Sequence, residues 1–177
     1  YLLREIPTSD DGDFSRKRFL EIYQSDLAHN FGNFLNRVLT MALKYFVGKV
    51  EGSKEDLAPL KRLFDDVEEK YHAHIAAFNL KAALEEVSRL ADFGNKFIDT
   101  KKPWVLAKED LRELRKVMFL LLELNRCIGV LLAPFLPQTS ENMLRQLGLE
   151  GGLSAVKSYH IVKAPEPLFR LGSDLEK

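Results

Sequence analysis

Apolar residues recur along most of this chain at a spacing close to 3.6 residues, which is the repeat of an α-helix. Runs in which apolar and polar residues alternate, as they do in half-buried β-strands, are almost absent. The sequence therefore predicts an all-α fold. The pattern is clearest over residues 25–48, where the apolar positions are Leu27, Phe31, Phe34, Val38, Met41 and Tyr45.

The same periodicity divides the chain into successive helical segments. Ser25 is a suitable N-cap for the second helix, and Gly148 is a suitable C′ residue after the last one. Helices of this length joined by short loops pack side by side, so we expect an antiparallel bundle of five to six helices. The predicted helices span residues 15–23, 25–48, 55–75, 79–99, 108–133 and 138–147.

The two ends of the chain differ from its middle. The apolar residues Tyr1 to Leu3 run into the turn-rich residues 7–13, so residues 1–14 are predicted to be a junction from a further domain, at a fragment boundary. Residues 15–150 form the predicted bundle. Residues 151–177 contain prolines and lack the helical repeat, so we expect an extended C-terminal tail whose apolar residues 159–162 lie against the bundle.

Composition limits what the chain does by itself. The sequence has no glycine-rich phosphate loop and no metal-spaced cluster of carboxylates and histidines, so we expect no catalytic residues and no metal site. The 26 basic and 26 acidic residues balance, so a nucleic acid would have to meet a local patch. No apolar stretch approaches the roughly 20 residues of a membrane span, and the lone Cys127 fits a reducing compartment. We expect a monomeric chain in the cytoplasm, without a membrane partner.

A polar stripe on the second predicted helix suggests a binding surface. Asp26, Asn30, Asn33 and Arg37 follow one another at steps of four, three and four, opposite the apolar face. An asparagine amide offers a paired donor and acceptor, and arginine offers a rigid fork of donors, which together suit the edge of a nucleobase. The alternative is an ordinary solvated helix face.

A second candidate is Pro103-Trp104, which follows two lysines after the fourth predicted helix. Single-stranded RNA loops are read by aromatic side chains that stack on unpaired bases, with hydrogen bonds to the exposed base edges. A tryptophan at a corner between two helices is also commonly a buried anchor. The sequence leaves both roles open for Trp104.

Several strings in the chain resemble segments of methionyl-tRNA synthetases, in the same order and at similar spacing. The resemblance covers essentially the whole chain, and its most specific parts are Asn33 with Arg37 and the Pro103-Trp104 pair. The matching strings are YLLREIP at 1–7, DGDFS at 11–15, SDLAHNFGNFLNR at 25–37, NKFID at 95–99, PWVLAK at 103–108 and LAPFLP at 132–137.

The resemblance implies an α-helical domain that recognises the CAU anticodon of methionine tRNAs. Trp104 would stack on an anticodon base, the first of the three, while Asn33 and Arg37 would form hydrogen bonds to base edges. Pro103 would set the angle of the indole. The other supporting residues, of which the first two would hold the loop, are Asn95, Asp99 and Asn30.

The resemblance also implies a longer protein. Members of this family are class I synthetases that use ATP and Mg²⁺ to join methionine to its tRNA, on a catalytic domain whose nucleotide-binding motifs do not occur in this sequence. This chain would need no cofactor, would be inactive alone and would contact that domain, and any zinc site would lie upstream. Two alternatives stay open: the anticodon domain of the isoleucine, valine, leucine or cysteine enzyme, or a helical protein-interaction module without an RNA role.

Overall fold

The computed structural model describes residues 1–6, 11–149 and 158–169, and its architecture is a helical bundle with one small β-sheet. Parts of the predicted junction and of the predicted tail lie outside these residues. The elements in chain order are α1 (Leu2–Glu5), α2 (Arg16–Ile22), a π-helix (Tyr23–Gly32), α3 (Asn33–Phe46), β1 (Lys49–Glu51), a 3₁₀ turn (Glu55–Leu57), α4 (Ala58–Ala76), α5 (Leu80–Lys101), α6 (Pro103–Glu109), α7 (Leu111–Leu132), α8 (Pro137–Gln146) and β2 (Ser158–His160).

Helix α7 is the centre of the bundle. It is apolar on almost every side, and α3, α5, α6 and α8 all pack against it. Its N-cap is Asp110, whose carboxylate accepts hydrogen bonds from the backbone N–H groups of Arg112 and Glu113 at 2.9 and 3.0 Å. The predicted start at residue 108 was therefore a few residues early, because residues 103–109 form the separate helix α6. The predicted all-α bundle is confirmed.

The first two predicted helices are one continuous helical rod, which corrects the predicted start at Ser25. The rod begins at Ser15, whose hydroxyl accepts the backbone N–H of Arg18 at 3.3 Å, and α2 continues through the π-helix into α3. Ser25 caps nothing, because its hydroxyl donates to the carboxylate of Asp26 at 2.7 Å inside the π-helix.

The sheet pairs two segments that are far apart in the chain. β1 and β2 are antiparallel with Val50 opposite Tyr159, and the side chains of Tyr159 and Ile161 are buried in the core. Gly48 and Gly148 allow the chain around β2 to approach closely. A Cβ at Gly48 would lie 2.0 Å from the carbonyl oxygen of Ile161, and a Cβ at Gly148 would lie 2.4 Å from that of His160. The sequence did not predict this sheet, because three-residue strands carry no detectable alternation.

Gly148 ends α8 as predicted. Its φ of 77° is left-handed, its N–H bonds to the carbonyl of Arg145 at 3.0 Å, and the next N–H, of Leu149, bonds to the carbonyl of Leu144 at 2.9 Å. This pair of bonds is the Schellman motif, which satisfies carbonyls that a helix end otherwise leaves open.

A buried polar network joins β2 to α7. The Tyr159 hydroxyl donates to the carboxylate of Glu123, which also accepts a hydrogen bond from Nε of Arg126 at 3.0 Å. Burial, reinforced by the neighbouring Glu123 charge, holds the pKa of Tyr159 above its ordinary range. Burial also raises the pKa of the adjacent Cys127 thiol to about 11. The segment around β2 is therefore fastened to the centre of the bundle.

Candidate nucleic-acid interface

The rod formed by the π-helix and α3 is bonded to α5 through a ladder of polar side chains. The side-chain amide of Asn30 donates to the Asp92 carboxylate at 2.8 Å, and the amide of Asn95 donates to Oδ1 of Asn30 at 3.1 Å. One step further along, Arg37 donates from Nη1 to Asn95 at 3.3 Å and from Nη2 to Asp99 at 2.7 Å. The ladder joins three of the predicted site residues, Asn30, Arg37 and Asn95, and ends at a fourth, Asp99.

A glycine allows the two helices to come this close. Gly94 is buried next to Asn95, and the ring of the fully buried Phe34 packs against it. A Cβ at Gly94 would be 2.2 Å from Cζ of that ring, far inside van der Waals contact. The Phe34–Gly94 contact therefore sets the spacing across which Arg37 reaches Asn95 and Asp99.

Asn95 and Asp99 orient Arg37 but use only some of its N–H donors. Its side chain is 29% exposed, and the two bonds in the ladder use one proton on each terminal nitrogen. A guanidinium carries five N–H donors, so three are left for another partner. Asn95 and Asp99 orient the guanidinium in the structure, whereas the sequence analysis expected them to hold the loop.

The predicted stripe of four polar residues is divided in the structure. Asp26 bonds to Nε of Arg4 at 3.2 Å, while Asn30 and Arg37 face α5. Asn33 is exposed and lines a cleft on another side of the rod. The stripe was predicted from α-helical spacing, and the wider turn of the π-helix, with its i→i+5 hydrogen bonds, changes where successive side chains point.

Trp104 lies in the first turn of α6, at the end of α5 that carries Asp99. The chain reverses direction at Lys102, which has a left-handed backbone with a φ of 46°, and the next residue, Pro103, is buried. Proline suits a first helical position because its missing N–H would have no partner there. Trp104 is 44% exposed, so the interpretation of this residue as a buried anchor is wrong.

The lysine before this turn is not free for phosphate. Lys101 bonds to Glu113 at 3.2 Å, and its ammonium lies 5.8 Å from the centre of the Phe97 ring. Lys102, which forms the turn itself, is exposed. Trp104, Arg37 and Lys102 therefore offer a stacking face, hydrogen-bond donors and a positive charge.

The structure adds residues that the sequence analysis missed. Asp92 completes the ladder, and the steps of three residues from Asp92 to Asn95 and four from Asn95 to Asp99 were a signal available in the sequence. His29, Asn36 and Phe169 line the cleft beside Asn33. Phe169 could not be found from spacing, because it comes from the far end of the chain.

Two observations concern the described residues as a whole. Within residues 1–6, 11–149 and 158–169, no three His, Cys, Asp or Glu side chains are grouped to hold a metal ion. Across the same part of the chain, no helix has the length and apolar character needed to cross a membrane.

Comparison with known proteins gives consistent matches along the chain. Residues 48–174 match the family model of the anticodon binding domain of methionyl tRNA ligase, and residues 1–39 match that of class I tRNA synthetases (M). Methionine–tRNA ligase of Bacillus subtilis is 39% identical over 155 residues, which are 84% of this chain and 23% of that protein. The enzyme of Caldanaerobacter subterraneus subsp. tengcongensis is 36% identical over 163 residues, 89% of this chain and 26% of its own length.

A solved structure agrees in fold. Mycobacterium tuberculosis methionyl-tRNA synthetase in complex with methionyl-adenylate superimposes with a TM-score of 0.84 at 26% identity, over 95% of this chain and 36% of that one. This chain spans about a quarter of the length of its curated relatives.

The helical bundle and its matches define a domain of a class I aminoacyl-tRNA synthetase. Within that class, the chain belongs to the family of anticodon-binding domains of methionyl-tRNA ligases. The predicted family is thereby confirmed, and the anticodon domains of other class I enzymes and the protein-interaction module are not favoured.

Proposed function

We propose that this domain binds the anticodon loop of methionine tRNA and selects the sequence CAU. The observation that carries the proposal is the half-exposed Trp104, presented on the turn that follows the Arg37–Asp99 ion pair. Proteins that recognise unpaired RNA bases combine aromatic stacking with hydrogen bonds to the base edges. Trp104 and Arg37 offer these two kinds of contact at one end of a helix pair.

Trp104 supplies the stacking surface. With 44% of the residue already exposed, a base can reach the indole without unfolding of α6. Stacking of one base on an aromatic side chain contributes roughly 1–3 kcal/mol. The buried Pro103 and the left-handed backbone of Lys102 hold the position of the ring in the free domain. Binding a base therefore costs less conformational entropy at Trp104.

Arg37 and Asn33 supply hydrogen bonds. Asn95 and Asp99 orient the guanidinium, and its unused N–H groups can donate to the acceptor atoms of a base edge. Asn33 lies one helical turn before Arg37 and offers both a donor and an acceptor. A base with a different pattern of edge groups would leave these polar atoms unpaired, which is the basis of discrimination.

In the longer protein, we propose that this selection serves the joining of methionine to its tRNA, with ATP and Mg²⁺ used on the catalytic domain of the same chain. Because this domain has no net charge, it attracts phosphate weakly. We therefore expect the domain alone to bind tRNA weakly, with most of the phosphate contacts made by the rest of the protein. Tight binding that is insensitive to salt would contradict this expectation.

The test is competition binding between anticodon stem-loops that carry CAU and stem-loops with single-base changes. Trp104→Ala and Arg37→Ala should each abolish the preference for CAU, and Trp104→Phe should retain part of it because phenylalanine keeps an aromatic face. Arg62→Ala is the matched control, since Arg62 is an exposed arginine on α4. Uniform weak binding that none of these variants changes would refute the proposal.

A further inference from the structure

The short helix that carries Trp104 lies between the two members of an ion pair. Lys101 is the last residue of α5, Glu113 lies in the first turn of α7, and Nζ of Lys101 is 3.2 Å from Oε1 of Glu113. The residues between them, 102–112, comprise the turn at Lys102, all of α6 and the start of α7. The ion pair therefore closes a loop that contains Trp104.

Neighbouring groups restrain both members of the pair. Phe93, Phe97 and Lys101 follow one another at steps of four on α5. The two rings stack with 5.7 Å between their centres, and the Lys101 ammonium lies 5.8 Å from the centre of the Phe97 ring. The backbone N–H of Glu113 donates to the carboxylate of Asp110, the N-cap of α7, at 3.0 Å. Because these contacts limit the freedom of both residues, the pair costs less conformational entropy than one between two unrestrained surface chains.

The turn between α5 and α6 depends on contacts outside itself. Lys102 has a left-handed backbone with a φ of 46°, a conformation that residues with a Cβ adopt only when the surroundings hold it. A helix of seven residues also has little stability of its own. The holding contacts are the hydrogen bond from the Lys102 N–H to the Ile98 carbonyl at 2.9 Å, the burial of Pro103, and the Lys101–Glu113 pair.

The same end of α5 also holds Arg37. Asp99, in the last turn of α5, pairs with Arg37 at 2.7 Å. The end of α5 is thus joined to α3 through Asp99 and to α7 through Lys101. The two ion pairs together fix where the turn, and therefore Trp104, lies relative to the guanidinium.

We propose that the Lys101–Glu113 ion pair is a clasp that orders Trp104 before RNA arrives. Both members are positioning residues, which act through the turn at Lys102 and contact no base. With the loop closed, the indole samples fewer positions in the free domain, so stacking of a base costs less entropy. The inference rests on the proposed function, because the order of the indole matters only if a base stacks on it.

The first test is the time-resolved fluorescence anisotropy of Trp104, the only tryptophan, in the chain without RNA. Lys101→Met keeps an unbranched side chain over Phe97 and removes the charge, and Glu113→Gln keeps the shape of the carboxylate. Each change should lower the residual anisotropy, and the double variant should lower it no further than either single change. Lys101→Arg should keep the anisotropy of the natural chain, because a guanidinium retains both the charge and the contact with an aromatic face.

Salt provides a second test that needs no substitution. The side chains of Lys101 and Glu113 are 40% and 36% exposed, and at about 1 M salt the screening length falls to roughly 3 Å. Added NaCl should therefore lower the anisotropy of the natural chain towards that of Lys101→Met, and should leave Lys101→Met unchanged. Lys61→Met, which breaks an exposed ion pair within α4, is the matched control and should behave as the natural chain does. Thermal denaturation shows whether each variant is folded.

Binding of a CAU stem-loop connects the clasp with the proposed function. Lys101→Met and Glu113→Gln should each weaken binding by about 2- to 5-fold, the range expected for loss of a partly exposed ion pair. The preference for CAU should remain, because Trp104 and Arg37 are still present.

The outcomes separate the clasp from the proposed function. Unchanged anisotropy in Lys101→Met and Glu113→Gln, with loss of CAU selection in Trp104→Ala, would overturn the clasp and leave the proposed function standing. A more mobile indole with unchanged RNA affinity would also overturn it, since the order of Trp104 would then contribute nothing to binding. If the anisotropy decreases as expected but Trp104→Ala binds every stem-loop as the natural chain does, the proposed function itself is refuted.

Discussion

Replacement of Gly94 by alanine would test whether the close crossing of α3 and α5 positions Arg37. A Cβ at this position would lie 2.2 Å from Cζ of Phe34 and 2.6 and 2.7 Å from its two Cε atoms, whereas ordinary contacts are 3.4–4 Å. The Phe34 ring is fully buried and has no solvent to move into. The two helices must therefore separate by about 1 Å, because a close-packed core leaves no room for the extra methyl group.

The expected cost follows from two opposing effects. Overpacking of this kind destabilises a protein by about 1–3 kcal/mol, and the rigid ring over Gly94 places the cost near the upper end. Alanine in mid-helix recovers about 1 kcal/mol through its better helix propensity. The net loss is about 2 kcal/mol, which for a chain of this size lowers Tm by roughly 4–8 °C. The separation should also draw Arg37 away from Asn95 and Asp99, and so weaken the binding of a CAU stem-loop.

Thermal denaturation followed by circular dichroism measures the first effect, and stem-loop binding measures the second. Gly129→Ala is the control, because its Cβ would come no closer than 3.2 Å to the flexible Leu144 side chain and 3.6 Å to Cβ of Met143. Stability should therefore stay equal or rise slightly. Phe34→Leu in the Gly94→Ala background should recover part of the binding. A Gly94→Ala chain as stable as the natural one, with unchanged RNA binding, would refute this account of the crossing.

Three further predictions concern buried and site residues. Tyr159→Phe removes the hydroxyl that donates to buried Glu123, so urea denaturation should show a loss of about 1–3 kcal/mol; an unchanged midpoint would contradict this. Because burial raises the pKa of the Cys127 thiol from its ordinary 9.0 to about 11, the folded chain keeps a proton that the unfolded chain loses. Stability should therefore fall as pH rises from 9 to 11, less steeply in Cys127→Ser, and equal slopes would argue against it. Arg37→Lys should weaken CAU binding about 10-fold, because an ammonium lacks the planar fork of donors. The free energy of unfolding should change little, since the ion pair with Asp99 is largely solvated. Equal affinity in a titration would count against a guanidinium-specific role.

The helices could be predicted from sequence because their signals are local. Apolar spacing located α4, α5, α7 and α8 close to their observed positions, and Gly148 marked the end of α8. Asn79 similarly caps α5, where its side chain accepts the N–H of Ala82 at 3.2 Å. Such features depend on residues within one or two helical turns, so no knowledge of tertiary contacts is needed.

The π-helix and the sheet could not be predicted in this way. Residues 23–32 keep apolar spacing that fits an α-helix, and π-helices are rare enough that periodicity favours the α form. The sheet pairs Val50 with Tyr159, whose contact depends on how α7 and α8 pack between them. Pairing between segments so far apart in the sequence depends on the tertiary structure, which local patterns do not reveal.

The residue types of the candidate site could be proposed from sequence, but their arrangement only in part. Trp104, Arg37 and Asn33 stood out as unusual polar or aromatic residues at helix surfaces and corners. Arg37 lies in the ladder and Asn33 lines the cleft. This separation depends on the π-helix before Asn33 and on the close packing at Gly94. That Phe169 lines the cleft could not be predicted, because it depends on the path of the C-terminal segment across the bundle.

The most direct test of the account uses the intrinsic fluorescence of Trp104, the only tryptophan in the chain. Titration with a CAU stem-loop should quench this emission as a base stacks on the half-exposed indole, with a midpoint that shifts to higher RNA concentration for each single-base change in the anticodon. Arg37→Ala should remove that discrimination. Emission that does not change with CAU RNA, or that is quenched equally by every anticodon, would contradict recognition of the anticodon by Trp104.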